Sequence, residues 1–169
     1  MRFLPKRTGW LILPILIALA VFGAKTYPAV TPVANDSSSS RPLIPDERPA
    51  RLDRYFAERN MPLEGFGAKF VEVADKCDMD WWLLPAIAVR ESSGGKQACG
   101  NNPFGWASCR LDFDSVEQAI EVVGANLCGF NPRTAGYYKN TTTYERLWSY
   151  NGIVNPQYIG EVLKIMEQF

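Results

Sequence analysis

The apolar positions of the chain fall into three unlike stretches. Over residues 9–24 they are almost continuous, with Leu11, Ile12 and Leu13 followed by Ile15, Leu16 and Ile17. Over residues 26–49 they thin out among proline, serine and charge. Beyond that they recur with the 3.6-residue spacing of amphipathic helices. Over residues 64–76, Phe66, Phe70, Val73 and Ala74 share one face and Cys77 continues it. Residues 81–92 are apolar nearly all round (Trp82, Leu83, Leu84, Ile87, Val89), which predicts a central, enclosed helix. Pro85 is expected to distort its opening turn, and Gly94 with Gly95 to end it. A third helix is predicted over 115–127, with Val116, Ile120, Val123 and Leu127 inward and a capping box between Ser115 and Gln118. A last helix is expected after Asn155 as N-cap and Pro156 at N1, burying Ile159, Val162, Ile165 or Met166, and Phe169. Shorter helices are expected near 51–59 and 143–150. No clear alternating strand stands out, the segment 103–113 being the one candidate, and there is no internal repeat. The fold class is mainly α.

The first stretch reads as a membrane segment. Arg2, Lys6 and Arg7 precede it, and its sixteen residues would span roughly 24 Å as a helix, against a hydrocarbon core of about 30 Å. Trp10 and Tyr27 suit the two interfaces, and Lys25 can snorkel. The alternative is a cleaved signal peptide. Cleavage after Ala24 would put the bulky Phe22 at −3, so an uncleaved anchor over residues 1–25 is preferred; cleavage after Gly23, with Val21 at −3, stays open. Residues 26–49, with Ser37 to Ser40 and prolines at 28, 32, 42, 45 and 49, bury too little to offset their ordering entropy and read as a tether. Residues 50–169 form the folded domain. The expected location is the cell membrane, single-pass with an extracytoplasmic domain, or secretion if the signal is cleaved.

Composition then removes chemistries. The net charge is zero, but residues 1–49 carry six basic groups against three acidic, and the remaining 120 carry twelve against fifteen. A mildly acidic domain without a basic run is a poor partner for nucleic acid. The chain has no histidine. Ser-His-Asp and Cys-His nucleophile systems and histidine zinc sites are therefore excluded. Four cysteines, Cys77, Cys99, Cys109 and Cys128, lie in the folded part of an exported chain and suggest two disulfides, with three possible connectivities. Cys99 with Cys109, closing a short loop, and Cys77 with Cys128, tying two helices, is the favoured pairing. No Cys-x-x-Cys pair points to zinc. No metal or cofactor is implied.

Glu91 stands out as a carboxyl closing an almost wholly apolar helix. Partial desolvation there favours its neutral, proton-donating form and suits a general acid; a salt bridge with Arg90 is the structural alternative. After it comes a loop rich in amide, hydroxyl and aromatic groups: Ser92, Ser93, Asn101, Asn102, Phe104 and Trp106. Glycans are bound by such groups, although Phe104 and Trp106 can equally fill a small core. Farther on, Tyr150 is placed to donate near the acid and Asn151 to hold an acetamido group, their alternative being an ordinary helix end.

The order of these segments resembles a known family. Asp80-Trp81-Trp82-Leu83-Leu84-Pro85-Ala86-Ile87-Ala88-Val89-Arg90-Glu91-Ser92-Ser93-Gly94-Gly95 resembles the catalytic-helix motif of lysozyme-like peptidoglycan hydrolases, where the helix ends in Glu-Ser. Asn101-Asn102-Pro103-Phe104-Gly105-Trp106 is similar to the Asn-Asn-Leu-Phe-Gly motif of the bacterial glucosaminidases (glycoside hydrolase family 73). Tyr150 with Asn155-Pro156-Gln157-Tyr158 is similar to the same family's Tyr-Ala-Thr-Asp-Pro-x-Tyr close. Tyr150-Asn151-Gly152 also resembles the Ala-Tyr-Asn-Ala-Gly motif of the related lytic transglycosylases. Pro103 in place of leucine and the cysteine-closed loop depart from the pattern. The resemblance implies a lysozyme-like helical domain cleaving the peptidoglycan glycan strand, with Glu91 and Tyr150 catalytic. Ser92, Asn102, Phe104, Trp106, Asn151 and Tyr158 would bind substrate. A second carboxylate, which glycoside hydrolysis usually needs, is not evident; Asp112, Asp114 and Glu117 are candidates, with Asp114 better placed to cap the next helix. Lytic transglycosylase activity and a non-catalytic wall-binding role are the alternatives.

Overall fold

The computed structural model describes residues 45–169; the expected membrane segment and all but the end of the tether lie outside the described residues. Among the described residues seven α-helices run in the order α1 (Arg48–Glu58), α2 (Gly67–Asp75), α3 (Leu83–Ser92), α4 (Val116–Leu127), α5 (Ala135–Tyr138), α6 (Thr143–Leu147) and α7 (Tyr158–Met166). A 3-10 turn (Trp106–Cys109) lies between α3 and α4, and a π-helical turn (Trp148–Gly152) follows α6. The described part is mainly α and has no strand, only an isolated bridge between Cys99 and Asn102. The candidate strand at 103–113 is instead the 3-10 turn and irregular chain around it.

Helix α3 is central because its sequence leaves it no polar face. Leu83, Leu84, Ala86, Ile87 and Ala88 are all buried, and the helix packs between α2 and α7. Pro85 does not distort it. With the helix beginning at Leu83 rather than 81, Pro85 falls in the first turn, where an N–H has no intrahelical partner to lose. The helix ends one residue before the glycines, at Ser93, which adopts φ 53° and ψ 46°. The Ser93 and Gly94 N–H groups then return to the carbonyls of Val89 and Ala88.

The other helices wrap this one. Helix α1 packs on α2 through Leu52, Tyr55 and Phe56. It starts at Arg48, inside the expected tether, because Pro49 sits in its first turn with φ already set. Helix α4 lies on α2 closely enough that a Cβ on Gly124 would come within 2.2 Å of Val73 Cγ1. Ser115 caps α4, accepting from the Gln118 N–H at 3.2 Å. The reciprocal half of the box goes elsewhere, since the Gln118 side chain accepts from the Asp114 N–H. Asp114 therefore braces the cap without being it. Helix α7 begins three residues after Asn155, which caps a preceding turn by accepting from the Gln157 N–H. Its buried face (Tyr158, Ile159, Val162, Met166) is the expected one with Tyr158 added.

Cys77 pairs with Cys128, joining the ends of α2 and α4, and Cys99 pairs with Cys109, with Cα separations of 5.7 and 5.9 Å. This is the favoured connectivity. No described helix is long and apolar enough to cross a membrane.

Candidate functional site

Glu91 sits in the last turn of α3, where the buried helix emerges under the loop that follows. The salt-bridge alternative does not apply, because the Arg90 Nε binds Glu161 of α7 at 2.6 Å. One carboxyl oxygen of Glu91, Oε1, is buried and without a hydrogen-bond partner. The other, Oε2, faces Gly105: a Cβ built there would lie 3.6 Å away. Gly105 has φ +60°, a conformation side chains resist, so the loop crosses close over the acid at a residue suited to it.

The loop is held by two residues whose side chains serve the backbone. The Ser92 hydroxyl, 2% exposed, lies 2.7 Å from the Pro103 carbonyl and 3.0 Å from that of Ala88, and accepts from the Gly95 N–H. Asn102, 1% exposed, accepts from the Trp106 N–H at 3.1 Å and donates to the Trp106 carbonyl at 3.0 Å. Both were expected to touch substrate. Buried and fully engaged, they instead fix the loop to the end of α3. Asn101 is likewise committed, donating to the Phe113 carbonyl. The Cys99–Cys109 bridge closes the loop from outside, across three consecutive residues, Ala107, Ser108 and Cys109, in the left-handed region (φ 53°, 55° and 58°).

The opposite wall comes from the π turn. Its Ile153 N–H reaches back to the Trp148 carbonyl at 3.1 Å, and the wide turn brings both Tyr150 and Asn151 to the cleft. The Tyr150 ring is half-buried beside Trp106 (centroids 5.6 Å apart), while its hydroxyl is enclosed and donates to the Phe104 carbonyl at 2.7 Å. Tyr150 thus ties the two walls together rather than donating to the acid. Burial, then the nearby Glu91 charge, push its phenol well above the usual tyrosine range.

Between these walls lies a cleft of about 460 Å³ lined by Glu91, the 104–108 loop, Tyr138, Tyr150 and Asn151. Phe104 lines it chiefly through its backbone, its ring being 1% exposed and part of the core. Trp106 and Asn151 are half-exposed. Tyr158, expected at the substrate, lies wholly buried behind Tyr150, the two rings stacked at 6.0 Å and 10°. Tyr138 and the backbone around Ala107 and Ser108 were not anticipated. Tyr138 ends a four-residue helix too short to carry a periodicity, and nothing distinguishes it in sequence from its exposed neighbour Tyr137. Burial raises the Tyr138 phenol to about 12.

Glu91 is the sole carboxyl among the residues lining the cleft. Asp112, Asp114 and Glu117 are exposed, with Asp114 engaged at the α4 cap. Among the described residues no group of three or more acidic or cysteine side chains converges as a metal site. No family model matches the chain, and no curated protein matches it. The arrangement is a single carboxyl in a cleft walled by Trp106 and Tyr150.

Proposed function

We propose that the protein cleaves the glycan strand of peptidoglycan, as an endo-β-N-acetylglucosaminidase-type enzyme with a lysozyme-like fold and Glu91 as general acid and base. The observation that carries this reading is Glu91 itself: an unpaired carboxyl at the floor of a cleft walled by Trp106 and Tyr150. Aromatic faces suit sugar rings, and Asn151 offers an amide to an acetamido group. In the first step Glu91 delivers its proton to the glycosidic oxygen as the C1–O bond breaks. Retaining and inverting hydrolases usually set a second carboxylate across the bond. With one carboxyl in the cleft, the electron pair for C1 comes from the substrate, through the 2-acetamido oxygen, and Glu91 then takes a proton from the incoming water.

The same single carboxyl supports a second reading, lytic transglycosylase action, in which the muramyl 6-hydroxyl attacks C1 and gives up its proton to Glu91. The two differ in product, a reducing N-acetylglucosamine end against an anhydromuramyl end. In either case we place the domain outside the membrane on its N-terminal anchor, with the tether setting its reach into the wall.

Digestion of purified peptidoglycan with the protein, followed by mass spectrometry of the fragments, tests the reading and separates the products. Glu91→Gln should lower the rate at least a hundredfold, the ordinary scale of general acid catalysis. Wild-type rates from that variant would remove Glu91 from the mechanism. Binding of glycan without cleavage by the wild type would favour a wall-binding role instead.

A further inference from the structure

Glu91 Oε1 and the Tyr158 hydroxyl are both buried and both without a hydrogen-bond partner. Two such orphans in one protein would each carry an uncompensated desolvation cost if they were unrelated. They are not unrelated. Tyr158 opens α7, which packs on α3, and its phenol is pushed far up by burial, by the charges of Tyr150 and Glu91, and by its approach to the Glu91 carboxyl as a hydrogen-bond donor.

Three neighbouring groups are committed elsewhere. The Tyr150 hydroxyl, stacked in front of Tyr158, donates to the Phe104 carbonyl. From α3, the Arg90 guanidinium stands 5.6 Å above the Tyr158 ring and is paired with Glu161 of α7. The Ser92 hydroxyl is spent on loop and helix backbone. Tyr138 of α5 is the remaining titratable group lining the cleft, and it lies on the Tyr150 side. Within this frame Tyr158 keeps a proton that no neighbour accepts, close to a carboxyl oxygen that no neighbour donates to.

We propose that Tyr158 is a positioning residue for Glu91, its hydroxyl donating to Oε1 once that carboxyl has given up its proton. In the resting arrangement both atoms are buried and unpaired. As the proton leaves for the glycosidic oxygen, charge develops on a carboxylate that otherwise has nothing on its inner side. A bond made only then stabilises the transition state and not the bound substrate. Tyr158 keeps its proton throughout, touches no substrate, and holds the ionised carboxylate in place for its second task as base. This catalytic meaning rests on the proposed function; the pairing does not.

The test uses the full chain in detergent, labelled with δ-¹³C glutamate, with the Glu91 signal identified by its loss in Glu91→Gln. Tyr158→Phe keeps the ring that packs on Tyr150 and removes one oxygen. A hydrogen bond to a charged group of ordinary strength then moves the Glu91 titration midpoint up by about one pH unit in the variant. On glycan, kcat should fall about tenfold with KM within about twofold, and the alkaline limb of the rate profile should shift up by the same unit. An unchanged midpoint overturns the pairing whether or not the chain cuts glycan. A loss confined to KM overturns the positioning role. A shifted midpoint in a chain that cuts nothing supports the pairing while refuting the proposed function.

Discussion

The Cys99–Cys109 bridge should protect the shape of the cleft more than the stability of the domain. A loop closed between residues ten apart gives a chain-entropy stabilisation of about 3 kcal/mol. Against it stand Ala107, Ser108 and Cys109, held in the left-handed region at roughly 1–2 kcal/mol each. When the clamp is removed by a Cys99→Ser, Cys109→Ser double substitution, the released strain offsets most or all of what the bridge contributed. The wall over Glu91 therefore relaxes while the helices stay folded. The Cys77–Cys128 bridge is a different case. It spans 51 residues, about 4 kcal/mol by the same estimate, and joins the ends of two core helices. Calorimetry should show a loss of less than about 5 °C for the first double variant and roughly 10–15 °C for a Cys77→Ser, Cys128→Ser variant. Hydrogen exchange should accelerate in a 100–112 peptide of the first variant and stay slow in a 116–127 peptide. Equal losses of Tm in the two variants, with a 100–112 peptide still protected, would refute the reasoning.

Three further outcomes follow from the packing and the polar contacts. Asn102→Ala leaves the half-buried Trp106 N–H and carbonyl without their partner and should cost about 1–2 kcal/mol in urea unfolding; a loss under about 0.5 kcal/mol would mean that the loop is held by other contacts. Gly124→Ala drives a methyl against Val73 and should cost about 1–3 kcal/mol, recovered in part by Val73→Ala; additive losses in the double variant would contradict the clash. Burial raises the Tyr138 phenol from 10.0 to about 12, so its stabilising contribution is complete below pH 10 and disappears as pH climbs towards 12. Unfolding free energy followed by circular dichroism should fall by about 2–3 kcal/mol over that range, and less in Tyr138→Phe; the same fall in both would exclude Tyr138 as its source.

The helices were legible because apolar spacing is a local signal that packing reinforces. Helix α3 is the clearest case, since a segment without a polar face has one place to go. Boundaries were less so: Pro49 reads as the end of the tether and Pro85 as a distortion, yet each falls in a first turn, where the missing N–H costs little. The site was legible in its outline, with Glu91, Trp106, Tyr150 and Asn151 meeting at one cleft from three segments of chain. What the pattern did not separate was the residue that faces the cleft from the one that builds it. Ser92 and Asn102 have the same hydrogen-bonding groups whether they serve a ligand or a backbone, and burial decides between these uses. Tyr138 was missed for the converse reason, as a short helix gives too few positions to show which side is inward.

The π turn at Trp148–Gly152 carries a consequence for chain length. Such a turn is a helix that has accommodated one surplus residue without breaking. Deleting one residue there and restoring regular winding would rotate the side chains that follow it by about 100° relative to α6. Tyr150 would swing off the Phe104 carbonyl it now binds at 2.7 Å, and Asn151 away from the cleft it lines. A single codon lost early in this stretch would thus re-aim one wall of the cleft without touching the acid on the other side.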